Sequence, residues 1–417
     1  MMGYSDSVRF LYSLGNEARM AKLGLDRISA VLEALGRPER RSGIVHVAGT
    51  NGKGSTCAMI EASLRAAGYR TGLFTSPHLV EPTERICIAG EPVTQEAFAE
   101  AFEQVHHTAE TLLAREEIDC HPTYFECVTA MAFLLFQRSA VERVVLEVGL
   151  GGRLDATNVV VPELAVITPV DFDHERYLGR GVESIAAEKA GILKPSVPAV
   201  FARQRPEAEA VLASRARELG VSVCRVAEWQ AENLRLSAKE SSFTVRGKQI
   251  HCALPGEHQV DNALTAVAAL EVMGIPSAAI ERGIAGARWP GRLEYIEGRP
   301  EVLLDGAHNP AGTRALARYL ERFCKDRRIT LIYGAMRDKA VEESAGWLFP
   351  LAEDLILTAP RQARAARPEA LRELVSHPRA RIAPDVAAAL DLAGGADLVV
   401  ITGSLFLVGE ARALLVQ

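Results

Sequence analysis

Along this chain, short apolar runs end again and again in polar, glycine-rich loops that open onto helical patterns. Ile44, Val45, His46 and Val47 lead into a loop holding Gly49, Gly52, Gly54 and Lys53, after which Met59, Ile60, Leu64 and Ala67 recur at helical spacing until Gly68. This predicts strand, loop, helix, with the helix beginning near Ser55. Thr71 to Phe74 reads as a second strand ending at Thr75, Ser76, Pro77 and His78, Val144 to Leu146 as a third ending at Glu147, and LAVITPV as a fourth ending at Asp173 and His174. Two helices are expected within residues 5–36, one over Gln95 to Arg115, one after HPTYFE, and one in SIAAEKAGILKP stopped by Gly191 and Pro195. EPTERICIAGEPV reads as an irregular loop with a hairpin, and 198–252 as a strand, a helix and a β-rich stretch. Trp289, Pro290 and Gly291 break the pattern, after which Arg292 leads a new strand and the strand–helix alternation restarts, with a helix from Thr313 after EVLLDGAHNPAG. The expectation is an α/β chain: a P-loop-containing parallel-sheet domain over 1–288, then a smaller, Rossmann-like α/β domain over 289–417.

The loop Gly49, Thr50, Asn51, Gly52, Lys53, Gly54, Ser55, Thr56 has the chemistry of a phosphate cradle. Glycines let backbone N–H groups turn inward, the helix start adds partial positive charge, and the lysine a full one. A nucleoside triphosphate is the natural ligand. The spacing departs from G-x-x-x-x-G-K-[ST], because Gly49 lies three residues before Gly52 and Gly54 holds the hydroxyl position. Taken alone, the loop is also readable as an ordinary glycine-rich turn.

Ser76, Glu147 and His174 fall at the carboxyl ends of strands, where open α/β sheets bind ligands. A carboxylate in so apolar a run as Val144 to Glu147 needs a partner, and magnesium with oxygen ligands is a suitable one. Thr123, Tyr124, Phe125 and Glu126 offer an aromatic pair beside a carboxylate, a platform for a flat heterocycle, but T-x-x-E is equally a capping box. Asn262 could cap a helix or read the edge of adenine. Arg85 could face an acidic substrate or solvent, and Glu188 and Lys189 could be a plain surface charge pattern.

Composition narrows the class. Of 417 residues, 48% are hydrophobic and 24% charged, as in a globular chain of two domains. A net charge of -6 argues against general nucleic-acid binding while leaving room for a small anionic ligand in a local basic pocket. The seven cysteines form no C-x-x-C pair and are expected to be reduced thiols. Neither a signal peptide nor a run of ~20 apolar residues is evident. A cytoplasmic monomer is expected, with small-molecule partners and neither nucleic acid nor membrane.

The motifs GTNGKGST, TSPHL, TYFE, LEVGLGGRLDATN, DHERYLG, EKAGILK, GEHQVDNA, RWPGRLE, LDGAHNP and GSLFLVGE, in this order and spacing, resemble folylpolyglutamate synthase/dihydrofolate synthase of the Mur ligase superfamily. Pro169 in TPVDFDH departs from the small residue common in that family. The resemblance implies ATP-dependent ligation of L-glutamate to a folate or dihydropteroate carboxylate through an acyl phosphate. It also implies two Mg2+ ions, one on Ser76 and Glu147 and one on Glu147, His174 and a carbamylated Lys189. Residues Thr50 to Lys53 would hold phosphates, and Asn262, Arg292 and Asp305 the rest of ATP, the latter two across the domain gap. His308 and Ser404 would lie near glutamate, and Gly24 and Leu25, in the turn from Lys22, with Arg85, Thr123 to Glu126, Leu154, Asp155 and Ala156, near the pterin. Lys53, Glu147, His174, Lys189 and His308 would be the catalytic set. The alternatives are a Mur-type ligase for another carboxylate, a P-loop ATPase that moves a partner, and a non-catalytic nucleotide-binding protein. A cell-wall Mur ligase would need more than the 48 residues that precede Gly49.

Overall fold

The computed structural model describes residues 2–15, 24–179, 181–337, 341–374 and 377–416; Lys22 and Leu23 of the expected pterin turn lie outside the described residues. In chain order the elements are α1 (Tyr4–Ser13), α2 (Asp26–Ala34), β1 (Gly43–Ala48), α3 (Lys53–Ala66), β2 (Thr71–Phe74), β3 (Ile86–Ile88), β4 (Glu91–Pro92), α4 (Gln95–Ala114), α5 (Tyr124–Arg138) and β5 (Arg143–Glu147). There follow β6 (Leu164–Ile167), α6 (Glu175–Leu178), α7 (Val182–Ala190), β7 (Ala199–Phe201), α8 (Pro206–Glu218), β8 (Val223–Arg225), β9 (Glu232–Leu236), β10 (Ser241–Val245), β11 (Lys248–Cys252), α9 (Glu257–Val272) and α10 (Ser277–Gly286). The remainder is β12 (Glu294–Ile296), β13 (Glu301–Leu304), α11 (Pro310–Phe323), β14 (Ile329–Tyr333), α12 (Val341–Leu348), β15 (Asp354–Leu357), α13 (Pro368–Glu373), β16 (Ala380–Ile382), α14 (Val386–Leu392), β17 (Leu398–Thr402) and α15 (Leu405–Leu415).

Two compact units emerge. The first comprises Met1–Glu232, Thr244–Ile250 and Asp261–Ala287, and the second Asn233–Phe243, His251–Val260 and Arg288–Gln417. The linear division at 288 therefore differs from the contacts, which group 233–243 and 251–260 with the later unit. In the first unit an eight-stranded sheet runs β4-β3-β2-β5-β1-β6-β7-β8, parallel from β2 to β8, with β3 and β4 added antiparallel as the expected hairpin. In the second unit a six-stranded sheet runs β12-β13-β17-β14-β15-β16, in which β12 is antiparallel to β13 and starts two residues after Arg292. A three-stranded sheet is built from β9, β10 and β11.

The apolar runs become strands because both faces of the large sheet are covered. Val45, Val47 and Ala48 on β1 and Val144, Val145 and Leu146 on β5 are buried, and α5 is buried along almost its whole length. Helix α3 is also buried from Ser55 to Leu64, because α10 lies across it. Gly283 permits that crossing: a methyl group there would fall 2.2 Å from the Ser63 Cα. Among the described residues no helix is long and apolar enough to cross a membrane.

His46 sits fully buried within β1, its Nε2 2.8 Å from the Thr157 hydroxyl. Burial, with the charge of Lys194, pushes its pKa down to about 3.

Two predictions follow from this packing. Gly283→Ala should lower stability in urea unfolding by ~1–3 kcal/mol, the cost of overpacking, since the opposing atoms are backbone; an unchanged midpoint would rule out the close α3–α10 contact. His46 stays neutral in the fold until about pH 3 but takes a proton near its ordinary value once unfolded. The fold thus loses stability as pH falls from ~6.5 toward that value, by roughly 1.4 kcal/mol per unit for this one group. His46→Gln should flatten the stability profile between about pH 4 and 6 by that amount, as read from urea midpoints.

Candidate functional site

Strands β2, β5, β1 and β6 are neighbours in the sheet, so their carboxyl ends bring the segments after Phe74, Glu147, Ala48 and Ile167 side by side. The glycine-rich loop leaves β1 between the other ends. At Gly49 a side chain is impossible, because a methyl group would fall 1.8 Å from the Thr168 hydroxyl oxygen. The amides of Thr50 and Asn51 donate to the Pro169 carbonyl at 2.9 and 3.2 Å. The Thr50 hydroxyl donates to the Asp171 carbonyl at 3.0 Å and accepts the Asp171 amide at 3.1 Å. Pro169, the departure noted in the sequence, is thus the acceptor that latches the loop to the end of β6. Thr50 and Asn51 spend their amides on that latch. The amides of Lys53, Gly54 and Ser55 stand ahead of the first intrahelical bond of α3, from the Thr56 amide to the Gly52 carbonyl at 2.9 Å, where a helix concentrates positive potential.

Both lysines of the expected site converge on this loop. The Lys53 ammonium donates to the carbonyls of Gly49 at 3.2 Å and Thr50 at 3.4 Å, and Lys189, buried on α7, donates to the same Gly49 carbonyl at 2.8 Å. Burial, then repulsion from Lys53, push the Lys189 pKa down to about 7, against the opposing charges of Asp173, Asp155 and Glu188. Asn262 lies inside α9 rather than at its cap; a methyl group at Gly52 would fall 2.2 Å from its Oδ1. The capping alternative for Asn262 is therefore replaced by contact with the glycine-rich loop.

Glu147 closes β5 with 4% of its surface exposed, and its Oε2 accepts the Ser76 amide at 3.1 Å. Ser76 and Glu147 are thereby brought together. His174 immediately precedes α6 with φ 53°, its Nε2 3.9 Å from Asp173 Oδ1 and its side chain 39% exposed. Asp173, which acts on Lys189, was named in the sequence only as a strand-end residue.

The expected pterin residues separate into a platform and its supports. Thr123 and Glu126 form a reciprocal capping box on α5: the Glu126 amide donates to the Thr123 hydroxyl at 3.3 Å and the Thr123 amide to Glu126 Oε2 at 2.8 Å. The same oxygen accepts from Arg27 Nε at 3.4 Å and Nη2 at 3.3 Å. Glu126 is therefore a cap and a buried ion-pair partner. Phe125 packs so closely on Gly149 that a methyl group there would lie 2.5 Å from its Cζ. Tyr124 stacks on Tyr12 with centroids 5.7 Å apart, and the Arg85 guanidinium lies 5.1 Å from the Tyr124 centroid. Arg85 Nε donates to His78 Nδ1 at 2.9 Å, so the proton of that ring belongs on Nε2, 3.3 Å from the Tyr12 hydroxyl. Burial and Arg85 hold His78 neutral, with its pKa down at about 3.

Asp155 builds its own loop. Its Oδ2 accepts the amides of Gly149 and Leu150 at 3.1 and 2.8 Å, and its Oδ1 the amide of Thr157 at 3.0 Å, while burial raises its pKa. Leu154 and Ala156 flank it, and Gly24 and Leu25 lead into α2, which carries Arg27. Arg27 and Tyr12 were absent from the expected set, and His78 was named only as a strand-end residue. Arg27 carried a signal, a cation beside the apolar stripe of Ile28, Val31 and Leu32; Tyr12 carried none.

In the second unit Asp305 follows β13, its Oδ2 accepting the Leu293 amide and its Oδ1 the Ala307 amide, each at 3.0 Å. Burial raises its pKa while Arg292 opposes. Arg292 Nη1 lies 2.2 Å from where a methyl group on Gly306 would sit, and His308 Nδ1 donates to the Gly306 carbonyl at 2.8 Å. His258 is pushed down to about 4 by burial and Arg292. Asn309 caps α11 by accepting the Gly312 amide at 2.9 Å, so that helix starts at Pro310, three residues before the expected Thr313. Ser404, buried, caps α15 through the Phe406 amide at 3.2 Å.

Comparison with known proteins gives a consistent match. Residues 90–270 match the Mur ligase middle domain and 291–405 the Mur ligase, glutamate ligase domain. The chain is 35% identical over 412 residues to the dihydrofolate synthase/folylpolyglutamate synthase of Bacillus subtilis, covering 94% of each. It is 36% identical over 388 residues to the Escherichia coli protein of that name, covering 92% of this chain and 89% of the other. Among solved structures, Mycobacterium tuberculosis folylpolyglutamate synthase complexed with ADP and AMPPCP superposes with a TM-score of 0.92 at 33% identity over 99% of both chains. Escherichia coli FolC in complex with DHPP and ADP superposes at 0.86, with 33% identity over 99% of both. With the latched glycine loop, the paired lysines and these matches together, the chain belongs to the folylpolyglutamate synthase/dihydrofolate synthase family of Mur ligases.

Proposed function

We propose that this chain is an ATP-dependent ligase that joins L-glutamate to the carboxylate of a dihydropteroate or reduced folate. The observation that carries the reading is the convergence of Lys53 and Lys189 on the Gly49 carbonyl beside the Ser76–Glu147 pair. Four adjacent strand ends then supply phosphate donors, an acid and a hydroxyl along one edge of the first unit's sheet. In the reaction, a substrate carboxylate oxygen bonds to the γ-phosphorus and ADP leaves. The glutamate amine then bonds to the acyl carbon, inorganic phosphate leaves and the ammonium loses a proton. Two anions must meet in the first step, so positive charge at the start of α3 and on Lys53 lowers its barrier.

The donor set fits magnesium at one position. Glu147 is a buried carboxylate whose Oε2 accepts the Ser76 amide, so the residue that carries a second hard oxygen donor adjoins it. Bound there, Mg2+ would screen the charge of the phosphates. For a second ion, with His174 and Glu147, an ammonium at Lys189 cannot serve as a ligand. A carbamate can, and a buried lysine with a pKa of about 7 holds much neutral amine at neutral pH, the form that adds carbon dioxide. The pterin is assigned to the Tyr124 and Phe125 platform, with Arg85 across the Tyr124 ring and Leu154 to Ala156 beside Gly149. Asn262 is assigned to ATP through its place against Gly52. Arg292 and Asp305 for nucleotide, and His308 and Ser404 for glutamate, are assigned on the family resemblance. The two Mur ligase matches support a division into a nucleotide-binding and a glutamate-ligase domain.

Phosphate release with dihydropteroate or tetrahydrofolate, each with and without L-glutamate, tests the reading. Turnover should require both a pterin and glutamate; release that ignores both pterins overturns the folate assignment. Glu147→Ala should lower magnesium-dependent turnover by roughly 100-fold or more, the several kcal/mol a catalytic metal contributes, and retained turnover would remove Glu147 from the metal site. Lys189→Ala should lose activity and regain part of it with added short carboxylates. Full activity of that variant without them would sink the carbamate.

A further inference from the structure

Outside the site just described, three metal-ligating side chains share one spot. His106 and Glu110 lie one turn apart on the same face of α4, and His121 lies in the connection between α4 and α5. His106 Nδ1 is 3.3 Å from His121 Nε2, and Glu110 Oε1 is 4.0 Å from the first nitrogen and 3.9 Å from the second. Ligands bonded tetrahedrally to one zinc ion at 2.0–2.1 Å stand ~3.4 Å apart. The nitrogens already have this spacing. Glu110, with its side chain 55% exposed, can close the remaining half-ångström by rotation alone.

The proton positions favour a ligand. His121 Nδ1 is 2.8 Å from the Pro122 carbonyl, which can only accept, so Nδ1 carries the proton and Nε2 presents its lone pair toward His106 and Glu110. A ring N–H held by a backbone carbonyl is the outer support usual behind a metal-bound imidazole. The His106 ring is fixed as well, stacked at 6° on Phe102 and packed 4.5 Å from Phe10. A ring-to-ring hydrogen bond would satisfy the two nitrogens; the Glu110 carboxylate, one helical turn on, adds a third ligand atom within reach of both.

We propose that His106 Nδ1, Glu110 Oε1 and His121 Nε2 form a three-ligand site for a borderline divalent transition-metal ion of the zinc class, clamping α4 to the start of α5. Two imidazoles and one carboxylate favour zinc or cobalt over magnesium or calcium, which take oxygen sets. Because His121 runs through Pro122 into the Thr123 cap, an ion here steadies the start of the helix that carries Tyr124 and Phe125.

Calorimetric titration of Zn2+ into the full chain, in excess Mg2+ to occupy hard-ligand sites, tests this, with Co2+ as an optical probe. The wild type should bind one zinc equivalent through these residues, melt at higher temperature with zinc than without, and give visible absorption with Co2+. His106→Gln should lose that equivalent, the zinc-dependent melting shift and the cobalt bands. Glu110→Gln, at an exposed position that should leave folding intact, should weaken zinc by at least about 10-fold, since even outer-shell partners contribute that much. Far-UV circular dichroism and zinc-free melting report whether each variant folds. Absence of zinc binding in the wild type, or equal zinc affinity in wild type and Glu110→Gln, overturns the proposal.

Discussion

The carbonyl oxygen of Gly49 is the acceptor on which the geometry of the first unit's candidate site depends. Two ammonium groups donate to it, Lys189 at 2.8 Å and Lys53 at 3.2 Å, and neither approach would survive if the loop stood elsewhere. Its place is fixed by sterics on one side and hydrogen bonds on the other. The contact with Thr168 forbids any side chain at Gly49, and the Pro169 carbonyl holds the next two amides. The loop is thus preorganised by the neighbouring strand end, so ligand binding need not bear the cost of ordering it.

A second structural layer supports the strand ends around that loop through side chains remote in sequence. Asp155 ties the loop after β5 to itself, Thr157 reaches back to His46 in β1, and Phe125 is pressed onto Gly149. The Arg27–Glu126 pair links α2 to the cap of α5. Burying two charges has a high desolvation cost, so this pair is better understood as a device that fixes geometry than as a source of net stability.

Much of the fold could be read from periodicity. The strand–loop–helix at Gly49, the hairpin after β2 and the apolar helix after Thr123 each stand where the pattern put them, because local apolar spacing decides them. Partnerships were less legible. Thr123 and Glu126 announced a capping box and a pocket equally, and the Thr123 amide together with Arg27, 99 residues away, commits the Glu126 oxygen. Asn262 read as either a cap or an adenine contact, because the pattern alone does not fix which turn of α9 it occupies. Tyr12 and His78 join Arg85 and Tyr124 through tertiary contacts alone. The grouping of 233–243 and 251–260 with the later unit is likewise a matter of contacts that no linear boundary expresses.

The two lysines also bear on the proposed modification. As ammonium groups on one carbonyl they repel each other, and with burial this is what pulls Lys189 toward neutrality. A carbamate on that nitrogen would retain one N–H for the Gly49 carbonyl, so the existing hydrogen bond could survive. Its new negative charge would face Lys53 as an attraction, relieving the repulsion that the unmodified pair sustains. Asp173 and Glu188, which favour the ammonium, would then oppose the change, unless cations balance them. Modification and metal binding would therefore be coupled, since each would remove the electrostatic objection to the other.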